Sequence, residues 1–63
     1  MCLATAYRNT ESKDQIICDN ITKITVDGDE ITLVDIIGEV RKVLGRISMA
    51  DLTKSVVIID AAD

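Results

Sequence analysis

The residue best suited to chemistry is the second one. Cys2 follows Met1 at the head of a β-prone run, Met1-Cys2-Leu3-Ala4-Thr5-Ala6-Tyr7. A thiolate is a soft metal ligand, and a chain-terminal amine beside it supplies a second donor. An initiator methionine that precedes a small residue is usually removed. Removal would leave amine and thiolate on one residue, set for a five-membered chelate. With Met1 retained, the Met1 amine, the Cys2 amide nitrogen and the Cys2 thiolate form an equivalent donor set. Four-coordinate N,S ligation suits square-planar Ni(II), and Cu or Zn with less preference. The alternative is a cysteine that packs as a small hydrophobe.

The rest of the composition narrows the chemistry. The chain has no histidine. This removes imidazole ligation, histidine general acid–base catalysis and the usual nucleophilic triads. No acid–base or nucleophile constellation is visible, so an enzyme is not expected. The second cysteine, Cys18, stands alone in sequence. Two cysteines do not make a disulfide framework, and in a cytosolic chain both would be reduced. If the hairpin loop centres near Glu11, Cys18 falls opposite Ala4, one pair from Cys2, and a joint Cys2/Cys18 site becomes geometrically possible. A slip of one residue would turn the two to opposite faces.

Two carboxylate features have structural readings. Asp27, Asp29 and Glu30 surround a glycine but lack the ligand ladder of a calcium loop, so they read as a turn. Asp35 lies in an apolar strand, where pairing with Arg46 or Lys42 across the sheet would accommodate it. Eleven acidic against seven basic residues give a net charge of −4. That balance argues against contact with a phosphate backbone, and Tyr7 alone is no stacking platform for single strands. No apolar run has the length of a membrane span, and no leader of signal-peptide type is visible. These absences lead to the expectation of a cytoplasmic protein.

The elements that would position Cys2 follow from the patterning. The 63 residues form one small domain, residues 1–63, whose core must be aliphatic because Trp and Phe are absent. Residues 2–8 read as a first strand and residues 8–13 as a polar loop. A short strand over 15–18 is broken by Asp19-Asn20. Residues 21–26 and 30–36 form a hairpin around Asp27-Gly28-Asp29, where Gly28 supplies a positive φ. Ile37-Gly38-Glu39 makes a further turn. A strand runs over 40–44, Gly45 precedes Arg46-Ile47, and Met49-Ala50-Asp51-Leu52 reads as a helical turn or loop crossing. The unbroken run Val56-Val57-Ile58-Ile59 lies in a last strand buried on both faces. The expected core includes Ile24, Val26, Ile31, Leu33, Val57 and Ile59. Closely spaced short strands with turn signals between them predict an all-β fold. At this length that means a small antiparallel barrel of about five or six short strands, SH3-like or alternatively OB-like.

The opening M-C-x-x-x-A-Y pattern, carried here by Met1, Cys2, Ala6 and Tyr7, resembles the start of the small CooT-like proteins. The resemblance extends to the Asp-Gly hairpin, Leu33-Val34-Asp35, Gly45-Arg46-Ile47, Ala50-Asp51-Leu52 and the closing apolar strand, and so covers nearly the whole chain. It implies a small β-barrel and a nickel-binding accessory role, as a metallochaperone in the maturation of carbon monoxide dehydrogenase. It also implies a homodimer with metal held between two Cys2 residues. The family residue for nickel maps onto Cys2, and Cys18 is outside the motif. The family is also catalogued as predicted RNA-binding. This leaves as the other reading a nucleic-acid-binding or protein-interaction barrel with a structural Cys2.

Overall fold

The structure is a computed structural model and describes residues 3–62. Five strands close into a single barrel: β1 (Ala4–Arg8), β2 (Ile16–Asp27), β3 (Glu30–Asp35), β4 (Val40–Asp51) and β5 (Val56–Ala61). A short 3-10 turn, Lys13–Gln15, leads into β2. Sequence neighbours pair antiparallel from β1 to β5. The ring closes through a parallel pairing of β1 with β5, Thr5 opposite Val56 to Arg8 opposite Ile59.

The all-β expectation therefore holds, with one correction of length. Two of the strands are long, at twelve residues each. The segments 15–18 and 21–26 are one strand, β2, and Asp19-Asn20 does not break it. Asn20 takes a positive φ of 53° and bends the strand where its partner changes. Ile21 faces Ala4 of β1 and is also the first β2 residue to face β3, at Asp35. Likewise β4 runs unbroken through Gly45, and Met49–Asp51 is strand, not a helical turn. Leu44 is the last β4 residue paired to β3 and Gly45 the first paired to β5. The turn that follows occupies residues 52–55.

The core is aliphatic, as composition requires. Ala6, Ile21, Ile31, Leu33, Val43, Val57 and Ile59 form one buried cluster, with Ile24 packed at its margin. Full burial of Ile31, Leu33 and Ile59 contributes roughly 1.5–3 kcal/mol each. In β3 the period-2 alternation works as expected, with Ile31 and Leu33 inside and Thr32 and Val34 half-buried. Val56, Val57 and Ile59 are buried and Ile58 is half-buried, which fits a strand covered on both faces. Val26 departs from expectation and is 55% exposed. It pairs with Ile31 one step from the Asp27–Glu30 turn, on the stretch of β2 beyond its pairing with β1. In-phase alternation does not bury a residue that the ring does not flank.

The predicted hairpin turn is present. Gly28 and Asp29 form a two-residue loop with Gly28 at φ 61°. A positive φ at the first loop position is the requirement of a type II′ turn, whose twist matches the strands it joins.

Candidate metal centre

Cys2, the residue singled out as the metal ligand, lies outside the described residues. The structure describes the residues that follow it. The chain enters β1 through Leu3 and Ala4, with Ala4 opposite Ile21 of β2. On its other side, the Thr5 amide donates to the Ser55 carbonyl at 2.9 Å. Ser55 ends the β4–β5 turn with φ 58°, in the left-handed region that non-glycine residues enter at some cost. Asp51 builds that turn: its Oδ1 accepts from the Thr53 and Lys54 amides at 3.0 and 3.1 Å. Between β2 and the turn lies a groove of about 430 Å³, lined by Ala4, Ile21, Thr22, Lys23, Ile24, Leu52 and Ser55.

Cys18 stands elsewhere on β2. It faces Ala6, not Ala4 as the sequence register suggested; Ala4 faces Ile21. The irregular pairing along β1 and β2 displaces the hairpin register inferred from the loop centre. Cys18 is half-buried and its Sγ lies 3.6 Å from the Asp19 carbonyl, its acceptor. Burial pushes its thiol pKa up. The Asp35 carboxylate adds to this, Arg41 opposes it, and Asp19 and Glu39 raise it further. The thiolate a metal needs is thus disfavoured at Cys18. A joint site with Cys2 falls on a residue outside the described range.

The acidic features are structural. Asp35 pairs with neither Arg46 nor Lys42. Its Oδ1 accepts from the Ile37 and Glu39 amides at 3.0 and 2.9 Å, which caps the β3–β4 turn. A carboxylate at a strand end satisfies free backbone donors more cheaply than it holds a cross-sheet ion pair. Lys42 instead approaches Glu30 at 3.8 Å, with both side chains well exposed. Asp27, Asp29 and Glu30 belong to the Gly28 hairpin. Among the described residues, no three His, Cys, Asp or Glu side chains come together as a metal would require. No helix among them is long and apolar enough to cross a membrane.

The sequence motifs, the closed barrel and the chain start on its first strand agree with the result of comparison. The family model described as CO dehydrogenase accessory protein CooT matches residues 1–60. The chain belongs to the CooT family. Its fold is also similar to the crystal structure of a protein assigned as CooT from Carboxydothermus hydrogenoformans, at a TM-score of 0.84 and 18% identity. That match covers 98% of this chain and all of the other. At this identity the likeness speaks for the fold. No curated protein matches the chain. Sequence reasoning missed the groove lined by Ala4. Lys23, Ile24, Leu52 and Ser55 come from distant segments, and only the exposed leucine in Asp51-Leu52-Thr53-Lys54-Ser55 hints at it.

Proposed function

We propose that this CooT-family chain is a nickel-binding accessory protein that delivers Ni(II) to a nickel-dependent carbon monoxide dehydrogenase. The observation that carries the reading is a cysteine at position two of a chain whose match to the CO dehydrogenase accessory family begins at residue 1. Cys2 is the better of the two soft donors. Cys18 is half-buried and held towards its thiol form by burial and by Asp35. The chain has no imidazole to offer.

Ni(II) is cargo in this scheme. The Cys2 thiolate, with the terminal amine and deprotonated amide nitrogens, supplies the N,S donors that square-planar Ni(II) favours. A site at a chain end is open to incoming ligands, so an acceptor enzyme takes the ion by stepwise ligand exchange. Two chain ends joined in a homodimer would give an N₂S₂ set. The role is that of an accessory protein and not of an enzyme. It belongs in the cytoplasm, where thiols stay reduced.

Nickel titration followed by absorbance tests the reading. Thiolate-to-nickel charge-transfer bands should appear for the wild type and for Cys18→Ser and vanish for Cys2→Ser. Binding should weaken as pH falls, because protons compete for thiolate and amine. An unchanged affinity in Cys2→Ser would overturn the reading and leave an interaction barrel with a packed cysteine. Loss in both variants would favour a joint site better suited to tetrahedral zinc or copper(I).

A further inference from the structure

We propose that Asp27 is a modification site: at the β2–β3 turn the backbone converts through a succinimide to an isoaspartyl linkage, which the folded barrel tolerates. The proposal stands apart from the reading of Cys2.

Sequence gives the first argument. Asp27-Gly28 is the one place in the chain where an Asp or Asn precedes a glycine. The Gly28 amide nitrogen has no side chain beside it to hinder attack on the Asp27 carboxyl carbon. Asn9 and Asn20 precede the β-branched Thr10 and Ile21. The carboxylates of Asp35 and Asp51 are held by backbone amides of their own turns.

The surroundings give the second. Asp27 and Gly28 are both exposed. The Gly28 amide donates to no acceptor among the described residues. A Cβ built on Gly28 would meet nothing within 4 Å, so a planar ring has room.

The ladder gives the third. Ring closure requires Asp27 to leave the extended ψ of a strand. Asp27 has one rung to break, its pairing with Glu30, because β1 accompanies β2 no further than Ile21. The far side of the turn is fixed to β4: Glu30 faces Leu44, and the Asp29 carbonyl accepts from the Gly45 amide at 2.8 Å. A terminal rung with one free edge opens at little cost while the rest of the sheet stays closed.

In the first step the Gly28 nitrogen bonds to the Asp27 side-chain carboxyl carbon. A carboxyl C–O bond breaks, and that oxygen leaves as water with the amide proton. In the second, water adds at the Asp27 main-chain carbonyl carbon and the bond from that carbon to the Gly28 nitrogen breaks. The chain then runs through the former side chain, and the main-chain carbon carries the free carboxylate. Composition and mass return to their starting values. The product adds one carbon to the main chain, less than the extra residue that a β-bulge inserts at a sheet edge.

The test ages the full chain at neutral pH and physiological temperature. Isoaspartate is read by methyl transfer from S-adenosylmethionine with an isoaspartyl carboxyl methyltransferase, and placed by fragmentation mass spectrometry of the peptide that spans the turn. The label should grow with time at Asp27, with a minor species lighter by one water. Asp27→Glu should remove it, because the ring would be one atom larger, and Asp29→Glu should leave it unchanged. Urea below the unfolding midpoint should speed labelling. The isoaspartyl form, separated by chromatography, should keep a strand-dominated circular dichroism spectrum.

No label in the aged wild type would overturn the proposal, as would equal label in Asp27→Glu. A disordered spectrum for the separated form would overturn the claim that the barrel tolerates the linkage.

Discussion

β2 and β4 are built to the same plan and bend by different means. Each has twelve residues, and each leaves one partner strand for another near its middle. β2 makes the exchange at Ile21, beside Asn20 with φ 53°. β4 makes it between Leu44 and Gly45, where Gly45 has φ 152°. The two bends differ in what surrounds them. A Cβ on Gly45 would meet the Asp60 carbonyl oxygen at 2.4 Å and the Ala61 Cα at 2.9 Å, both backbone atoms of β5. Asn20 is exposed and adopts its left-handed conformation with a side chain in place. At one bend the backbone leaves room for a side chain, and the Asn20 carbonyl accepts from the Ile36 amide at 2.9 Å. The other is set by conformation and by contact with a neighbouring chain segment.

The comparison can be broken by substitution. Gly45→Ala should be the most damaging, because the clash is with backbone that cannot swing aside. We expect a loss of about 3 kcal/mol or more, summing strain and overpacking. For a domain this small that amounts to loss of the folded state in a urea titration. A near-wild-type midpoint would show that β5 yields at Asp60 and that the two bends are alike. Asn20→Val should cost about 1–2 kcal/mol, the penalty of a β-branched residue in the left-handed region.

The bend in β2 also lies two residues from a cysteine whose thiol pKa is raised. Cys18 has a folded-state pKa raised first by burial and then by Asp35. Below the ordinary thiol range both folded and unfolded chains carry the neutral thiol, and its favourable contribution is fully present. As pH rises, the unfolded chain ionises first, so stability is lost through that range and up to the raised folded value. Cys18→Ser should flatten this alkaline decline relative to the wild type in denaturation at a series of pH values. Alkylation of Cys18 at mildly alkaline pH should correspondingly be slower than that of a free thiol. The smallest effect belongs to Asn20→Gly. Relief of the left-handed conformation offsets the added freedom of the unfolded chain, and stability should stay within about 0.5 kcal/mol of wild type.

The same pair of bends marks where sequence was legible and where it was not. Alternation in Ile31-Thr32-Leu33-Val34, the glycine at position 28 and the apolar run at 56–59 each report on a single residue's surroundings, and each was readable. Asp19-Asn20 was readable as a break and Gly45 as a glycine before Arg46-Ile47, but such residues bend strands as readily as they end them. What separates the two outcomes is whether the next residues find a new partner strand, and that partner lies far away in sequence. The same reason hid the exposure of Val26 and split β4 at Met49. Asp35 was visible as an oddity, yet its role depended on a turn two residues on that its own strand does not reveal. The candidate ligand Cys2 was legible because the donors it would use are adjacent in the chain. The groove was not, because Ala4, Ile24 and Leu52 become neighbours only on folding.

The parallel pairing of β1 with β5 has a consequence for the order of events during synthesis. Thr5 waits for Val56, and Arg8 for Ile59, so the first strand to leave the ribosome is the last to be flanked on both sides. Closing so long a loop is slow relative to forming the hairpins between. The wall of the groove that Leu52 and Ser55 supply is likewise made at the end. The groove lined by Ala4, Leu52 and Ser55 is absent until translation has passed β5. The closed barrel is therefore a property of the finished molecule, and an incomplete chain holds its first strand with one edge unpaired.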